Sequence, residues 1–197
     1  MSYSQNAEES FILDHFQDKA KGKFIDIGAF HVFQLSNVRA LYEKGWTGVL
    51  VEPQPANYKA IADHYKDDPE MIVLNVAIGE ESGLIDFFES NGDAVGTTDV
   101  DHMKKWGDAG VNYTKIKVKQ INVVDFMNQY GHGVDFISID TEATNMVIFR
   151  AMPDWVWEQI SMLVIEHDEG YDEIERKLET FGFTKLYQNA ENILLAK

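Results

Sequence analysis

The 197-residue sequence contains no cysteine, and this absence removes several kinds of chemistry at once. Disulfide bonds, thiolate nucleophiles and zinc sites built on thiolates are all excluded. Long apolar runs are absent too, since none approaches the roughly 18 residues that a membrane-spanning helix needs. The first nine residues, MSYSQNAEE, do not show a basic segment followed by an apolar one. We therefore expect no signal peptide, no membrane association and a cytoplasmic location.

Basic residues are scarce beside acidic ones, with 17 Lys and Arg against 33 Asp and Glu and a net charge of −16. A surface this acidic repels phosphate backbones, so we expect a small-molecule partner and no nucleic-acid partner. The basic run at 115–119 alternates with apolar residues, which indicates the solvent face of a strand. The sequence carries no signal for an oligomeric state.

Short apolar runs alternate with amphipathic segments through most of the chain. This alternation predicts an α/β fold, in which a mostly parallel, doubly wound sheet is covered by helices on both faces. The length fits one domain over residues 1–197. The principal predicted strands are 23–28, 48–52, 71–75, 134–140 and 162–166.

The pattern changes after the third of these strands. Residues 76–79 and 83–88 predict an inserted strand pair or hairpin. Residues 90–112 show little periodicity, and a segment of that length without regular structure is usually functional or mobile. At the end of the chain, 183–187 and 192–196 predict an antiparallel closing hairpin.

The most informative stretch is a glycine turn between a strand and a helix. An apolar run ends at Asp26, Gly28 and Ala29 form the turn, and an amphipathic segment begins at Ser36. The following strand ends in Glu52. A glycine turn that opens a helix, with an acid at the tip of the next strand, suits a nucleoside-bearing ligand. The turn lets the ligand approach the backbone, and the carboxylate can accept from both ribose hydroxyls.

Acidic residues follow four of the five principal strands, at 26, 52, 140–142 and 166–168. Ligands of open α/β sheets bind at the carboxyl ends of the strands. Polar strand ends can also reflect nothing more than contact with solvent, which explains one or two acids better than four sets. We therefore favour a ligand site at this edge of the sheet.

Histidines could contribute to that site. His167 could act as a general base, or could hold a divalent cation with Asp140 and Glu142, which we do not favour, or could hydrogen-bond a neighbouring loop. His31 lies in the first glycine turn, where it would be close to a bound ligand. Trp106 could cover a pocket or anchor its own loop. The remaining histidines, interpreted as surface or packing residues, are His15, His64, His102 and His132.

Several motifs together resemble the FkbM-type methyltransferases, which bind S-adenosylmethionine in the Rossmann-like class I fold. The resemblance covers nearly the whole chain and is far more specific than the glycine turn alone. The motifs that carry it are YSQ (3–5), FIDIGA (24–29), Ser36-Asn37, GWTGVLVEP (45–53), NVAIG (75–79), DFISIDTE (135–142) and VIEH (164–167).

The resemblance implies roles for individual residues. The turn residues would lie beside the methionine part of the cofactor, Glu52 would bind the ribose hydroxyls, and Asn75 with Val76 would flank the adenine. Asp140 would lie near the sulfonium, where methyl transfer occurs. The catalytic candidates are Asp140, His167 and Glu142. The candidate cofactor-binding residues are Asp26, Gly28, Ala29, His31, Ser36, Asn37, Glu52, Pro53, Asn75, Val76 and Asp140.

Two departures from the family pattern concern the same site. His31-Val32 replaces an Asp-Gly pair, and a positive φ at a β-branched residue would be costly. The family run Asp-Thr-Glu-Gly is here Asp140-Thr-Glu-Ala143, and the acid expected two residues later is Asn145. These changes affect the expected cofactor affinity, catalytic competence and accepted substrate.

The function that the resemblance implies is methyl transfer from S-adenosylmethionine to a hydroxyl oxygen of a polar small molecule, such as a sugar or a natural product. An alternative is a diverged member that binds S-adenosylmethionine or a related nucleoside without methyl transfer. A nicotinamide dehydrogenase is a weaker hypothesis, because the first turn lacks the Gly-x-Gly-x-x-Gly pattern.

Overall fold

The computed structural model describes residues 2–197 and contains ten strands and eight helices within them. The strands are β1 (Lys23–Ile27), β2 (Thr47–Val51), β3 (Met71–Leu74), β4 (Ala77–Gly79), β5 (Gly83–Glu89), β6 (Thr114–Asn122), β7 (Phe136–Ile139), β8 (Met162–Glu166), β9 (Thr184–Gln188) and β10 (Asn192–Ala196). The helices are α1 (Glu8–His15), α2 (Arg39–Glu43), α3 (Pro55–Tyr65), α4 (Val100–Asp108), α5 (Val123–Tyr130), α6 (Asn145–Ala151), α7 (Asp154–Gln159) and α8 (Tyr171–Glu179).

The main sheet has seven strands in the order β3-β2-β1-β7-β8-β10-β9. The first five of these are parallel, and β10 runs antiparallel between β8 and β9. The predicted Rossmann-like α/β fold and its closing hairpin are therefore confirmed. Because the chain leaves β1 toward β2 and later returns to the other side of β1 as β7, the topological switch lies at β1.

Alternation along the central strands divides the core into two layers. Ile25 and Ile27 point to the layer that contains α5 to α8, whereas Phe24 points to the layer that contains α1 to α3. The neighbouring β7 repeats the pattern, with Ile137 in the first layer and Phe136 in the second. Strands buried on both faces explain why these segments are nearly continuous apolar runs.

The inserted strands differ from the predicted hairpin. β4 and β5 do not pair with each other; each pairs with β6, β4 in parallel and β5 antiparallel. Gln120 lies opposite Ala77 on one side and opposite Gly83 on the other. The hairpin prediction was wrong because the two segments are adjacent in the chain, while the long β6 that pairs with both begins 25 residues after β5 ends.

The segment 90–112 also differs from prediction, since it contains helix α4. The Asp99 side chain caps this helix by accepting from the backbone N–H of His102 at 2.7 Å. No residue of α4 is fully buried, and His102, Met103 and Trp106 are its partly buried positions. Its apolar residues Val100, Met103 and Trp106 nevertheless recur at helical spacing, so the sequence did contain a signal for this helix. No helix within residues 2–197 is long and apolar enough to cross a membrane.

Candidate active site

A cleft with about 560 Å³ of empty space opens at the carboxyl ends of β1, β2 and β7, at the topological switch. Its floor is formed by Gly28 and Asp140, and Glu52 lies at one side. Apolar side chains cover another wall, and these are Val76, Ala77, Ile78 and Phe87. This mixture of apolar walls with a few polar groups is typical of a small-molecule site.

A second chamber, with about 770 Å³ of empty space, adjoins the cleft. The two share Gly28, Phe30, Ala94, Asp140 and Glu142 in their linings. Carboxylates and Trp106 line much of the second chamber. Because Asp140 borders both spaces, a group held in the cleft and a group held in the chamber can meet beside its carboxylate.

The glycine turn is built by close backbone contact. The N–H groups of Gly28 and Ala29 both donate to the carbonyl of Val51, at 2.9 and 3.0 Å. Gly28 has φ +92°, and a Cβ added there would lie 1.6 Å from the carbonyl oxygen of Asp140. Only glycine fits this position, because both the conformation and the space exclude a side chain.

Glu52 connects the two turns at the mouth of the cleft. Its Oε2 accepts from the N–H of Phe30 at 2.8 Å, and its Oε1 accepts from the N–H of Gln54 at 2.7 Å. Burial raises the pKa of Glu52 to about 7, although these backbone donors oppose the shift. Each carboxylate oxygen has a further lone pair, so the group can also accept from a ligand.

Two buried polar side chains hold the segment that covers the cleft. Gln54, only 1% exposed, accepts through Oε1 from the N–H of Ser90 at 3.0 Å. Thr97, fully buried, donates its hydroxyl to the carbonyl of Glu142 at 2.7 Å. The segment is thereby tied to the ends of both β2 and β7.

Carboxyl groups converge where β7 and β8 end. The carboxyl groups of Asp140 and Glu166 lie close enough for each to affect the pKa of the other. Burial, together with Asp140 and Asp168, raises the pKa of Glu166 to about 8. Burial and the neighbouring carboxylates also raise the pKa of Asp140 and of Glu142. Groups of this kind can hold or take up a proton near neutral pH, as a general base must.

Asn145, the residue that replaces the family's acid, is fully buried inside this cluster. Its Oδ1 accepts from the N–H and the hydroxyl of Thr141, at 2.7 and 2.9 Å. Its Nδ2 donates to Oε2 of Glu166 at 2.6 Å. An acid at this position would face Glu166 without a proton to donate, so the amide orients Glu166 and avoids a further like charge.

The second departure leaves the backbone in an unfavourable conformation. Glu142 and Ala143 have φ values of 55° and 79°, in the left-handed region that favours glycine.

His102 of α4 contacts the Glu142 side chain of this loop. Its Nε2 lies 3.0 Å from Oε2 of Glu142, although the angle is not that of a hydrogen bond. Burial lowers the pKa of His102. A strained loop that carries a carboxylate into a cleft is a recurrent feature of functional sites.

The comparison with protein families bears directly on this cleft. The methyltransferase FkbM domain matches residues 26–186, which include every strand tip described above. The chain belongs to this family. A comparison with curated proteins found no match.

Solved structures similar to this FkbM-domain methyltransferase are methyltransferases of low sequence identity. The METTL16 methyltransferase domain is 12% identical with a TM-score of 0.51, over 95% of this chain and 65% of that one. A human methyltransferase 10 domain containing protein is 10% identical with a TM-score of 0.49, over 98% and 81%. The N-methyltransferase NodS from Bradyrhizobium japonicum is 10% identical with a TM-score of 0.43, over 97% and 96%. The chain thus spans less than two thirds of the METTL16 domain, and that likeness shows the class I methyltransferase fold alone.

The FkbM-domain chain brings only part of the predicted site together. The predicted residues that line the cleft or the chamber are Gly28, Glu52, Pro53, Val76, Asp140 and Glu142. Asn75 lies beside them and donates to the carbonyls of Glu52 and Pro53 at 2.9 and 3.0 Å. It therefore shapes the turn after β2. The predicted residues that line neither space are Asp26, Ala29, His31, Ser36, Asn37, Asn75 and His167.

Asp26 and its neighbours lie on the α1–α3 side of the sheet. Asp26 lies opposite Ser138 of β7 in the sheet, and Asn37 donates to the Ser138 hydroxyl at 3.2 Å. Burial raises the pKa of Asp26 to about 7. Ser36 accepts from the N–H of Arg39 at 3.2 Å and so helps to start α2. The alternation of side chains along β1 places Asp26 opposite the cleft-facing Ile27.

The pair His31-Val32 adapts without the expected strain. Val32 does not have a positive φ; Phe30 and Leu35 do, at 49° and 56°. Val32 is buried in the second core layer. Nδ1 of His31 accepts from the N–H groups of Phe33 and of Gln34, both at 3.1 Å. The imidazole therefore organises the loop and does not enter the cleft.

His167 is not placed to act as a base. It is 6% exposed and lines neither the cleft nor the chamber. Its Nδ1 accepts from the N–H of Glu169 at 3.1 Å, and its Nε2 lies 3.3 Å from the carbonyl of Asn189. Both ring nitrogens are thus used by loops, so the structure favours the loop-binding alternative. Within residues 2–197, no three His, Asp or Glu side chains are arranged to hold a metal ion.

Sequence reasoning missed Gln54, Phe87, His102 and Asn145. Phe87 and His102 belong to the inserted strands and to α4, whose arrangement depends on contacts between distant segments. Gln54 could have been predicted from the sequence, because it follows Glu52 closely at the same strand end. Asn145 was interpreted as a lost acid, and its role depends on Glu166 twenty-one residues away.

The raised carboxyl pKa values predict an unusual pH dependence of stability. A carboxyl whose pKa is raised by folding contributes stability below its unfolded pKa, near 4, and loses it as pH rises through the folded value. For Asp26 and Glu52 the loss therefore runs from about pH 4 to about pH 7, and for Glu166 it continues to about pH 8. Each extra proton held by the folded state contributes a slope of about 1.4 kcal/mol per pH unit.

We therefore expect the melting temperature of the ligand-free protein to fall from pH 6 to pH 8 at constant ionic strength. Glu166→Gln should reduce the fall, and Glu70→Gln, at an exposed site, should not. Histidines with lowered pKa values, such as His102, act in the opposite direction below pH 6.5, so the fall should be clearest above that pH. A melting temperature that rises over this range would contradict the burial of uncharged carboxyls.

Proposed function

We propose that the protein transfers the methyl group of S-adenosylmethionine to a hydroxyl oxygen of a polar small molecule, such as a sugar or natural product. The observation that carries the proposal is the convergence at one cleft of an acid at the tip of β2, a glycine without room for a side chain, and a proton-accepting Asp140. Membership of the FkbM methyltransferase family supplies the reaction class.

The residues present fit this cofactor. Gly28 lines the cleft through its backbone, and its close approach to the carbonyl of Asp140 brings the tips of β1 and β7 together there. Glu52 can accept from the ribose hydroxyls, and Val76 with Phe87 offers apolar walls to the adenine. When bound, S-adenosylmethionine supplies an electrophilic methyl group on a positively charged sulfur.

The protein's own contribution is alignment and proton removal. An acceptor hydroxyl in the chamber can reach Asp140, which borders both spaces. Asp140 would take the proton of that hydroxyl as its oxygen is methylated, and the methyl–sulfur bond would break to leave S-adenosylhomocysteine. Glu166 lies beside Asp140, and Asn145 holds Glu166 in place by donating to its Oε2. A base whose pKa is raised toward neutrality is well matched to this proton transfer.

The negative charge of the chamber favours a small molecule, and not a nucleic acid, as the methyl acceptor. Carboxylates of Asp140, Glu142 and Glu166 line the chamber. Phosphates would be repelled by them, and the net charge of −16 gives no long-range attraction. A compact polyhydroxylated molecule would find hydrogen-bond acceptors here.

Cofactor binding is tested by thermal shift and calorimetry. S-adenosylmethionine or S-adenosylhomocysteine at a hundredfold excess over Kd should add about 2.7 kcal/mol of stability, which is about 5–10 °C in a domain of this size. Glu52→Gln should weaken binding by roughly 10- to 100-fold, because hydrogen bonds to a charged group contribute about 1.5–3 kcal/mol. Glu81→Gln, at an exposed turn, is the matched control.

Glu52 also binds two backbone N–H groups, so Glu52→Gln can lower the stability of the protein as well as its affinity for the cofactor. The affinity is therefore measured at a temperature at which both variants are folded. No shift with either compound at millimolar concentration would contradict the cofactor assignment. Methyl transfer itself is tested by a mass-spectrometric search for a methylated product in cells that express the protein. Binding without any product from a broad acceptor panel would favour the alternative of a diverged, non-transferring member.

A further inference from the structure

The second chamber carries more negative charge than the proposed reaction requires. Asp140 and Glu142 are shared with the cofactor cleft, where they face the reacting groups. Glu166 and Glu191 line only the chamber. The remaining polar side chains of its lining are the uncharged Gln5 and Asn192. Among the described residues that line it, none is Lys or Arg.

The bases nearby do not neutralise this charge. His102 contacts Glu142, and desolvation favours its neutral form. Lys105 is exposed, and its Nζ lies 5.7 Å from the centroid of the Trp106 ring. Burial and the neighbouring carboxylates raise the pKa of Glu142 by more than Lys105 lowers it. The carboxylates of the chamber therefore remain crowded against one another.

Crowded carboxylates favour a positively charged ligand. Like charges raise each other's pKa, and a cation among them removes that repulsion and restores the charged forms. The hydroxyl groups of a neutral polyol could donate hydrogen bonds to these carboxylates, but they would leave the repulsion between the carboxylates in place. Trp106 also lines the chamber, and aromatic rings attract ammonium groups.

We propose that the acceptor carries a protonated amine beside its reacting hydroxyl, as an amino sugar or a related amino alcohol does. The amine would lie between Glu166 and Glu191, and the hydroxyl would lie at Asp140. This inference rests on the proposed function, because it takes the chamber to be the acceptor site.

The test compares two probes that share a ring and differ in charge. D-glucosamine and N-acetyl-D-glucosamine, together with the corresponding β-1,4-linked dimers, are titrated into the protein saturated with S-adenosylhomocysteine. We expect the amines to bind at least tenfold more tightly than their acetylated partners. Glu191→Gln should reduce this preference several-fold, and Glu70→Gln, far from the chamber on an exposed turn, should leave it unchanged.

Three results would overturn the inference: equal affinity for each pair, no binding of either amine, or a preference that Glu191→Gln does not alter. A loss of S-adenosylhomocysteine affinity in Glu191→Gln would instead assign the charge to the cofactor, which also overturns it. The titrations are repeated without S-adenosylhomocysteine, so the amine preference is scored even if the cofactor does not bind. Failure of the proposed function is thereby separated from failure of this inference.

Discussion

Asp140→Asn should lower the rate of methyl transfer by about 10²- to 10⁴-fold, the usual contribution of a general base, while the protein stays folded. The amide keeps the shape of the side chain but cannot take the acceptor's proton. It also removes one carboxyl from a crowded cluster, so the folded state should lose little stability. Rates are measured with saturating S-adenosylmethionine, and folding is followed by thermal unfolding.

The pH profile gives a sharper readout of the same substitution. The wild-type rate should rise with pH as Asp140 loses its proton, and the raised pKa places that rise above the usual range of an Asp. The residual rate of Asp140→Asn should lack this dependence. Asp67→Asn, an exposed carboxyl at the end of α3, is the control. If Asp140→Asn kept full activity and a folded His167→Gln lost it, the base would be His167, and the assignment made from the cleft would be wrong.

Gly28→Ala should destabilise the protein by more than about 4 kcal/mol, a size that marks a severe steric conflict. The added Cβ would lie 1.6 Å from the carbonyl oxygen of Asp140, and neither backbone can move without disturbing the sheet. The left-handed φ of +92° adds about 1–2 kcal/mol for a residue with a side chain. Because whole domains have only about 5–15 kcal/mol of stability, the variant should be close to unfolding.

Gly45→Ala separates the two causes. Gly45 has a similar φ of +87°, but an added Cβ there meets nothing within 4 Å. It should cost about 1 kcal/mol, or about 2–4 °C, while Gly28→Ala should cost more than about 10 °C. Where Gly28→Ala still folds at low temperature, it should not bind S-adenosylhomocysteine. Equal losses in the two variants would show that the conformation alone, without the close approach to Asp140, explains Gly28.

The sequence was sufficient for the parts of the site that local patterns encode. Glu52 and Asp140 follow apolar strands, and parallel strands end at one edge of a sheet, so their convergence could be predicted from order alone. Gly28 marks a turn that only glycine can form. The family motifs extend these observations along the chain, and the family match over residues 26–186 agrees with them.

Side-chain direction could not be predicted to the same depth. Asp26 belongs to the same motif as Gly28, yet alternation along β1 turns it to the opposite side of the sheet, beside Ser138. His167 follows Glu166 directly, and one residue's difference carries it out of the chamber and into contacts with Glu169 and Asn189. A motif assigns residues to a site, but the pleat decides which of them face it.

The sequence by itself determined the fold class, the strand tips that carry the site and the acidic character of the molecule, because each follows from local periodicity and composition. Only the tertiary structure decided that β6 separates β4 from β5, that α4 brings His102 to Glu142, and that Asn145 orients Glu166. These features depend on contacts between segments far apart in the chain. Such contacts form only when the whole core is assembled, and no short stretch of sequence records them.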